Sequence, residues 1–268
     1  MKKTLTIAGS DSGGGAGIQA DLKIFHQFEC YGMSALTAVT AQNTQGVRDV
    51  ATLPVSIIQN QIIAIFEDFG VDALKTGMLS TSKIISAVAK TLSSYDIENL
   101  VIDPVMRAKD GSELLRDDAV DALIGKLMPL AILVTPNISE AEIMAETRIT
   151  SLQSMQEAAR TIYRKGAQNV LIKGGHLHGD ATDIFFDGVT FKTFTAPRLK
   201  AKNTHGTGCV YSAAITANLA LGYRLDAAIE IAKRFVTEAI KTAPDFGLGV
   251  GPLNHFCAPD DSDLENAD

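Results

Sequence analysis

Hydrophobic positions along this chain fall into two alternating patterns. Short apolar runs bounded by Gly, Pro, Asp or Asn read as strands: Leu5–Ala8, Ala35–Ala41, Ala73–Lys75, Leu100–Ile102, Ile132–Val134 and Val170–Ile172. Between them, apolar residues recur every three or four positions, the period of a helix. Ile18, Leu22, Phe25 and Phe28 mark the first such segment. Ser56–Phe69, Ser82–Leu92, Asp117–Leu127, Ser139–Ala145 and Leu152–Lys165 follow. This order predicts an α/β protein in three layers, a mostly parallel central sheet with helices on both faces. The pattern then changes. Asp183–Asp187 and Thr190–Phe194 flank Gly188-Val189 and read as a hairpin. Two long helices, Thr207–Leu221 and Leu225–Thr242, come after it. In the second, Leu225, Ala228, Ile229, Ala232, Val236, Ala239 and Ile240 form one stripe.

Composition narrows the picture. With 268 residues, 46% hydrophobic and 21% charged, the chain has apolar content enough for one large domain, read as residues 1–258. Disorder over most of the chain is excluded. The net charge is −7, but Asp260, Asp261, Asp263, Glu265 and Asp268 account for five of the excess negative charges. The acidic, aperiodic segment 259–268 therefore reads as a disordered tail, and the body is nearly neutral. Such a body argues against nucleic acid as the main partner. Cys30, Cys209 and Cys257 are odd in number and widely spaced, which fits neither a disulfide framework nor a zinc site. The apolar run after Met1-Lys2-Lys3 is too short for a signal peptide. The longest uncharged stretch, Gly206–Tyr223, holds Thr207, Ser212, Thr216 and Asn218, so it reads as a buried helix and not a membrane span. A reducing cytoplasm is the expected compartment.

Three motifs point the wrong way. Gly15–Ala20 matches the GxGxxA dinucleotide fingerprint, but the second strand ends in Ala41-Gln42-Asn43, with no acid to hold a ribose. Asp-Phe-Gly occurs at 68–70 and 245–247 without the catalytic loop of a protein kinase. No GxxxxGK[ST] occurs, so any nucleoside triphosphate must bind by other means.

The segment Asn203-Thr204-His205-Gly206-Thr207-Gly208-Cys209 carries the most chemistry. Glycines let the backbone turn so that several N–H groups converge, and a helix start adds its dipole, giving an anion site. Such a site suits the charge on a phosphoryl group in transfer. A thiol in the first turn, Cys209, is expected to have a lowered pKa and to serve as a base. The plainer alternative, a glycine-rich helix start with a small packed cysteine, stays open. His205 is a rival base, and a lone histidine also caps or packs.

Ligands of doubly wound sheets bind beyond the carboxyl ends of the strands. Gln42 and Asn43, Asp103, Asn137 and Glu140, and Lys173 all fall at such ends. Asp103 and Glu140 are candidates to hold Mg²⁺, which keeps much of its water and needs few carboxylates. Lys173 is a candidate phosphate ligand. Each also has a plain role: Asp103 and Asn137 as caps, Glu140 as a first-turn acid, Lys173 as a solvated strand end.

Thr6–Asp21 (TIAGSDSGGGAGIQAD), Thr40–Thr44, Lys75–Leu79, Asp103–Met106, Thr135–Asn137, Lys173–His176 and Lys202–Cys209 occur in this order. Together they resemble the hydroxymethylpyrimidine/phosphomethylpyrimidine kinases of thiamin biosynthesis, a branch of the ribokinase-like superfamily. The resemblance covers about Thr4 to Phe256. It implies a ribokinase-like three-layer fold, Mg²⁺ with ATP as co-substrate, room for a monovalent cation, and a homodimer. It implies that Ala16, Asp21, Gln42, Met78 and Val105 line the pyrimidine pocket. Gly206, Thr207 and Gly208 would form the anion hole, with Cys209 as base. Asn137, Lys173 and Thr207 would face ATP, and Asp103 and Glu140 the metal. Ser12-Gly13-Gly14-Gly15 also resembles cysteine-containing pyridoxal kinases, so a pyridoxal or dual-substrate kinase is the alternative. Candidate lids are Ala108–Gly111 and the Gly9–Gly17 loop.

Overall fold

The computed structural model describes residues 1–106, 117–175 and 179–257. The expected acidic tail, the candidate lid Ala108–Gly111 and His176 lie outside the described residues. The elements are β1 (Lys3–Asp11), α1 (Gly17–Gln27), β2 (Tyr31–Asn43), β3 (Gly46–Thr52), α2 (Val55–Asp68), β4 (Ala73–Thr76), α3 (Ser82–Leu92) and β5 (Leu100–Ile102). Then come α4 (Asp117–Ala122), β6 (Leu133–Val134), α5 (Ile138–Ala145), α6 (Leu152–Arg164), β7 (Val170–Ile172), β8 (Ala181–Phe186), β9 (Phe191–Ala196), α7 (Thr207–Leu221) and α8 (Leu225–Lys241).

The sheet runs β3-β2-β1-β4-β5-β6-β7-β8-β9. From β2 to β7 every pair is parallel; β3 and the β8–β9 hairpin are antiparallel additions at the two edges. Strand alternation divides the apolar runs between two cores. Leu74, Leu100 and Ile102 face α2 to α6, whereas Ala73 and Val101 face α1, α7 and α8. A strand buried on both faces has no polar side, which is why these runs are continuous. Helix α7 is the central case. Val210 to Ala220 are all buried, so it has no solvent face, as its uncharged sequence implies.

Two departures from the sequence expectations are physical. Strand β3 was not anticipated, because its residues are almost all exposed and show no apolar alternation. It exists through its ladder with the outer part of β2, from Ala38↔Thr52 to Asn43↔Gly46. The helix expected over 117–127 is α-helical only to Ala122. It continues as a π turn, Leu123–Leu127, and a 3-10 turn, Met128–Leu130, where Pro129 cannot donate an N–H.

Candidate active site

All thirteen residues singled out for the site line one cavity of about 810 Å³ beyond the carboxyl ends of the parallel strands. Ala16, Asp21, Gln42, Met78 and Val105 share it with Asp103, Asn137, Glu140, Lys173 and the Gly206–Cys209 turn.

Gly206 has φ +82°, and a Cβ there would collide with the Gly15 carbonyl, so only glycine fits. The Gly206–Gly208 turn therefore rests directly on the loop after β1. Thr207 Oγ1 donates to the Thr204 carbonyl at 2.8 Å, and Val210 N–H closes the first helical bond to Gly206 at 2.9 Å. The amides of Thr207, Gly208 and Cys209 precede that bond, where a helix leaves its N–H groups unpaired. A Cβ on Gly208 would stand 3.2 Å from Lys173 Nζ and 3.5 Å from an Asp103 oxygen. The turn thus faces a charged pair at close range.

That pair is Lys173 Nζ–Asp103 Oδ1, at 2.8 Å. Ser212 Oγ lies 3.3 Å from the other Asp103 oxygen. Burial pushes the Asp103 carboxyl up, but the charges of Lys173 and Lys75 and the bond from Lys173 outweigh it and hold it below its ordinary value. Burial likewise works against the Lys173 ammonium, and the fields of Asp103 and Glu140 more than compensate. Asn137 and Glu140 form a capping box: Asn137 Oδ1 accepts from Glu140 N–H at 3.0 Å, and Glu140 Oε2 accepts from Asn137 N–H at 2.7 Å. Their plain role is real and coexists with their place in the cavity. Burial pushes Glu140 up to about 7, with the Asp103 charge adding to it and Lys173 opposing.

Among the described residues no cluster of three His, Cys, Asp or Glu is gathered to hold a metal. Asp103 and Glu140 still fit Mg²⁺ bound largely through water and phosphate oxygens. Burial first, and then the Asp103 charge, raise the Glu140 carboxyl, and a divalent cation beside it would offset both.

Asp21 and Cys209 differ from expectation. Asp21 lines the cavity, but Lys75 Nζ holds one carboxylate oxygen and Thr6 Oγ1 the other, both at 2.6 Å. Lys75, in the apolar run of β4, was not singled out. A charged residue within such a run was the available signal. Burial disfavours its ammonium, and the fields of Asp21, Cys209 and Asp103 overcome that. The second correction concerns Cys209. Its thiol was expected to be acidic, yet burial pushes it up to about 12. The charges of Asp21 and Asp103 add to the rise, against the pull of Lys75 and of the Gly17 N–H. Desolvation here exceeds what a helix start supplies.

Two more groups escaped the sequence reading. Asp11, at the end of β1, accepts from His205 and from the following loop. Lys233 on α8 reaches Asp183 at 2.7 Å in the cavity wall, and Asp183 also takes the Gly174 N–H. The partner across the fold, His205 for Asp11 and Asp183 for Lys233, lies far away in sequence.

A ribokinase-like sheet with a glycine turn and a lysine–aspartate pair in one cavity at its carboxyl edge is the architecture of an ATP-using small-molecule kinase. The phosphomethylpyrimidine kinase family model matches residues 11–254, and the chain belongs to that family. It is 48% identical to the hydroxymethylpyrimidine/phosphomethylpyrimidine kinase of Bacillus subtilis, over 95% of this chain and 94% of that protein. It is 52% identical to the thiamine biosynthesis bifunctional protein ThiED of Geobacter sulfurreducens, over 96% of this chain. There it spans about half of the relative's length, 53%. Among solved structures, the pyridoxal kinase from Staphylococcus aureus in complex with AMP-PCP superposes with a TM-score of 0.90 at 39% identity, covering 97% of this chain and 95% of that one. No described helix is long and apolar enough to cross a membrane.

Proposed function

We propose that the protein transfers the γ-phosphoryl group of ATP to 4-amino-5-hydroxymethyl-2-methylpyrimidine, and then phosphorylates the monophosphate to the diphosphate. The observation that carries this reading is the single cavity in which the family's acceptor, anion-hole and nucleotide residues all meet. Ala16, Gln42, Met78 and Val105 enclose the ring, and Asp21, its oxygens held by Lys75 and Thr6, lines the same cavity. The Gly206–Gly208 amides receive the transferring phosphoryl group, and Lys173 and Asn137 face the nucleotide phosphates. Asp103 and Glu140 would hold Mg²⁺, which supplies charge neutralisation on the phosphates when bound. The working unit is a cytoplasmic homodimer with one kinase domain per chain, on family grounds.

Cys209 is the base of the first transfer. Because its thiol is protonated in the ligand-free site, it must ionise before it accepts the hydroxymethyl proton. Lys75 and the Gly17 N–H are the groups that lower that cost. In the second transfer the acceptor is already an anionic phosphate oxygen, so the base matters less. Cys209→Ala is expected to slow the first transfer about 100-fold or more and the second by less than tenfold, measured by separate initial rates. Equal losses would assign Cys209 to positioning.

A second reading, pyridoxal kinase or a dual enzyme, is favoured by the TM-score of 0.90 to a pyridoxal kinase. Product masses from the two alcohols with Mg-ATP separate the readings. Pyrimidine diphosphate with slow pyridoxal turnover supports the first. Efficient pyridoxal phosphate formation without a pyrimidine diphosphate supports the second.

A further inference from the structure

We infer that Asp183, clamped by Lys233, is a positioning residue for Lys173: it binds the Gly174 N–H and fixes the backbone from which the Lys173 side chain reaches the nucleotide phosphates. This role rests on the phosphate-binding reading of Lys173 above.

The β7–β8 ladder stops at Ile172↔Ile184, one residue before Lys173. Towards β6, the Lys173 N–H donates to the Pro136 carbonyl at 2.9 Å, and Lys173 bridges to Asn137. Towards β8, where the ladder has ended, the Gly174 N–H donates to Asp183 Oδ1 at 2.9 Å. That bond is buried, and a buried N–H leaving a ladder needs a partner. The N–H belongs to the peptide group that joins Lys173 to Gly174. Lys173 is thus held at the peptide group on each side of it. Gly174 also passes so close to β8 that a Cβ there would collide with the Thr182 carbonyl, so the chain leaves the strand pressed against its neighbour.

Asp183 is held in turn. Its second oxygen accepts from Lys233 Nζ on α8 at 2.7 Å, and its side chain is 2% exposed. The Lys233 ammonium lies over the Tyr211 ring of α7, 5.9 Å from its centre. With a cation of its own, Asp183 leaves Lys173 to Asp103, beside the Gly206–Gly208 turn. All four charged groups line the cavity.

An ion pair that only fastened α8 to β8 would act on stability alone. A bond routed through Gly174 makes phosphoryl transfer depend on the acceptor oxygen of residue 183 and not on its charge.

The test compares two neutral pairs in the full chain. Asp183→Leu with Lys233→Met removes both the ion pair and the acceptor. Asp183→Asn with Lys233→Gln removes the ion pair but keeps an oxygen for the Gly174 N–H. The first pair should lower kcat/KM for Mg-ATP about tenfold or more and leave the calorimetric Kd of the pyrimidine alcohol within about twofold, since only the phosphate ligand is misplaced. The second pair should recover most of the loss. Added to Lys173→Met, the first pair should cost less than about twofold more, because the residue it positions is gone. Equal effects of the two pairs, large or absent, overturn the inference, and so does a loss that multiplies that of Lys173→Met. Amide hydrogen exchange of the wild type needs no variant: the Gly174 N–H should be protected, and fast exchange in the folded protein also overturns the inference. If Lys173→Met alone leaves kcat/KM for Mg-ATP unchanged, the phosphate role of Lys173 falls and this role with it, a result distinct from the others, in which that reading stands.

Discussion

Lys75 and Lys173 extend from the carboxyl ends of parallel strands, β4 and β7, and each meets a buried aspartate. The first reaches Asp21 at 2.6 Å and the second Asp103 at 2.8 Å. In the Lys75 pair both side chains are 0% exposed, and Thr6 closes the second carboxylate oxygen. In the other pair Lys173 is 14% exposed, Asp103 is 3% exposed, and among the described residues the second oxygen has a long 3.3 Å contact from Ser212. The chemistry is the same and the shells differ. A pair whose remaining lone pairs are filled by protein is part of the frame. A pair left open beside a glycine turn gives way to a ligand that brings its own charges.

The sharpest way to break this comparison is Lys75→Met. It strands Asp21 without a cation and should cost about 3–5 kcal/mol in a urea-unfolding measurement. Lys75→Met with Asp21→Leu should recover part of that loss, since an apolar pair carries no stranded charge. A single variant as stable as the wild type would sink the distinction. Next in size, Lys173→Met should lower kcat/KM for Mg-ATP about 100-fold or more. Its stability loss should be less than half that of Lys75→Met, because the cavity lets water reach Asp103.

The smallest effect is a pH dependence beside the open pair. Burial and Asp103 push Glu140 from its ordinary 4.5 up to about 7. Between those values the folded protein binds this proton more tightly than the unfolded chain. Its contribution is therefore fully present below about 4.5 and is lost as pH rises through 7. Glu140→Gln cannot ionise and keeps an acceptor for the Asn137 N–H. Relative to wild type it should gain stability as pH rises from about 4.5, levelling above 7 at about 1–3 kcal/mol. A difference that does not change with pH would mean that Glu140 stays ionised in the folded protein.

The parallel strands and the late helices were legible because burial on both faces leaves continuous apolar runs, and Leu100–Ile102 and Val170–Ile172 match the structure at both ends. The site residues were legible as a set because polar residues after apolar strands mark one sheet edge. Strand β3 was hidden because it stands on backbone ladder bonds that any exposed sequence can make. The pairings Asp11–His205 and Lys233–Asp183 were hidden because the partners lie 194 and 50 residues apart.

The amino-acid sequence by itself determined the layer order, the family, and thirteen of the residues that meet in the cavity, since each follows from local period or from an ordered set of motifs. Only the tertiary structure decided what those residues are free to do. It filled both oxygens of Asp21, kept the Cys209 thiol protonated and paired Lys173 with Asp103. The reason is that ionisation and hydrogen-bond direction depend on desolvation and on charges a few ångströms away. Those distances are set by packing between segments far apart in the chain.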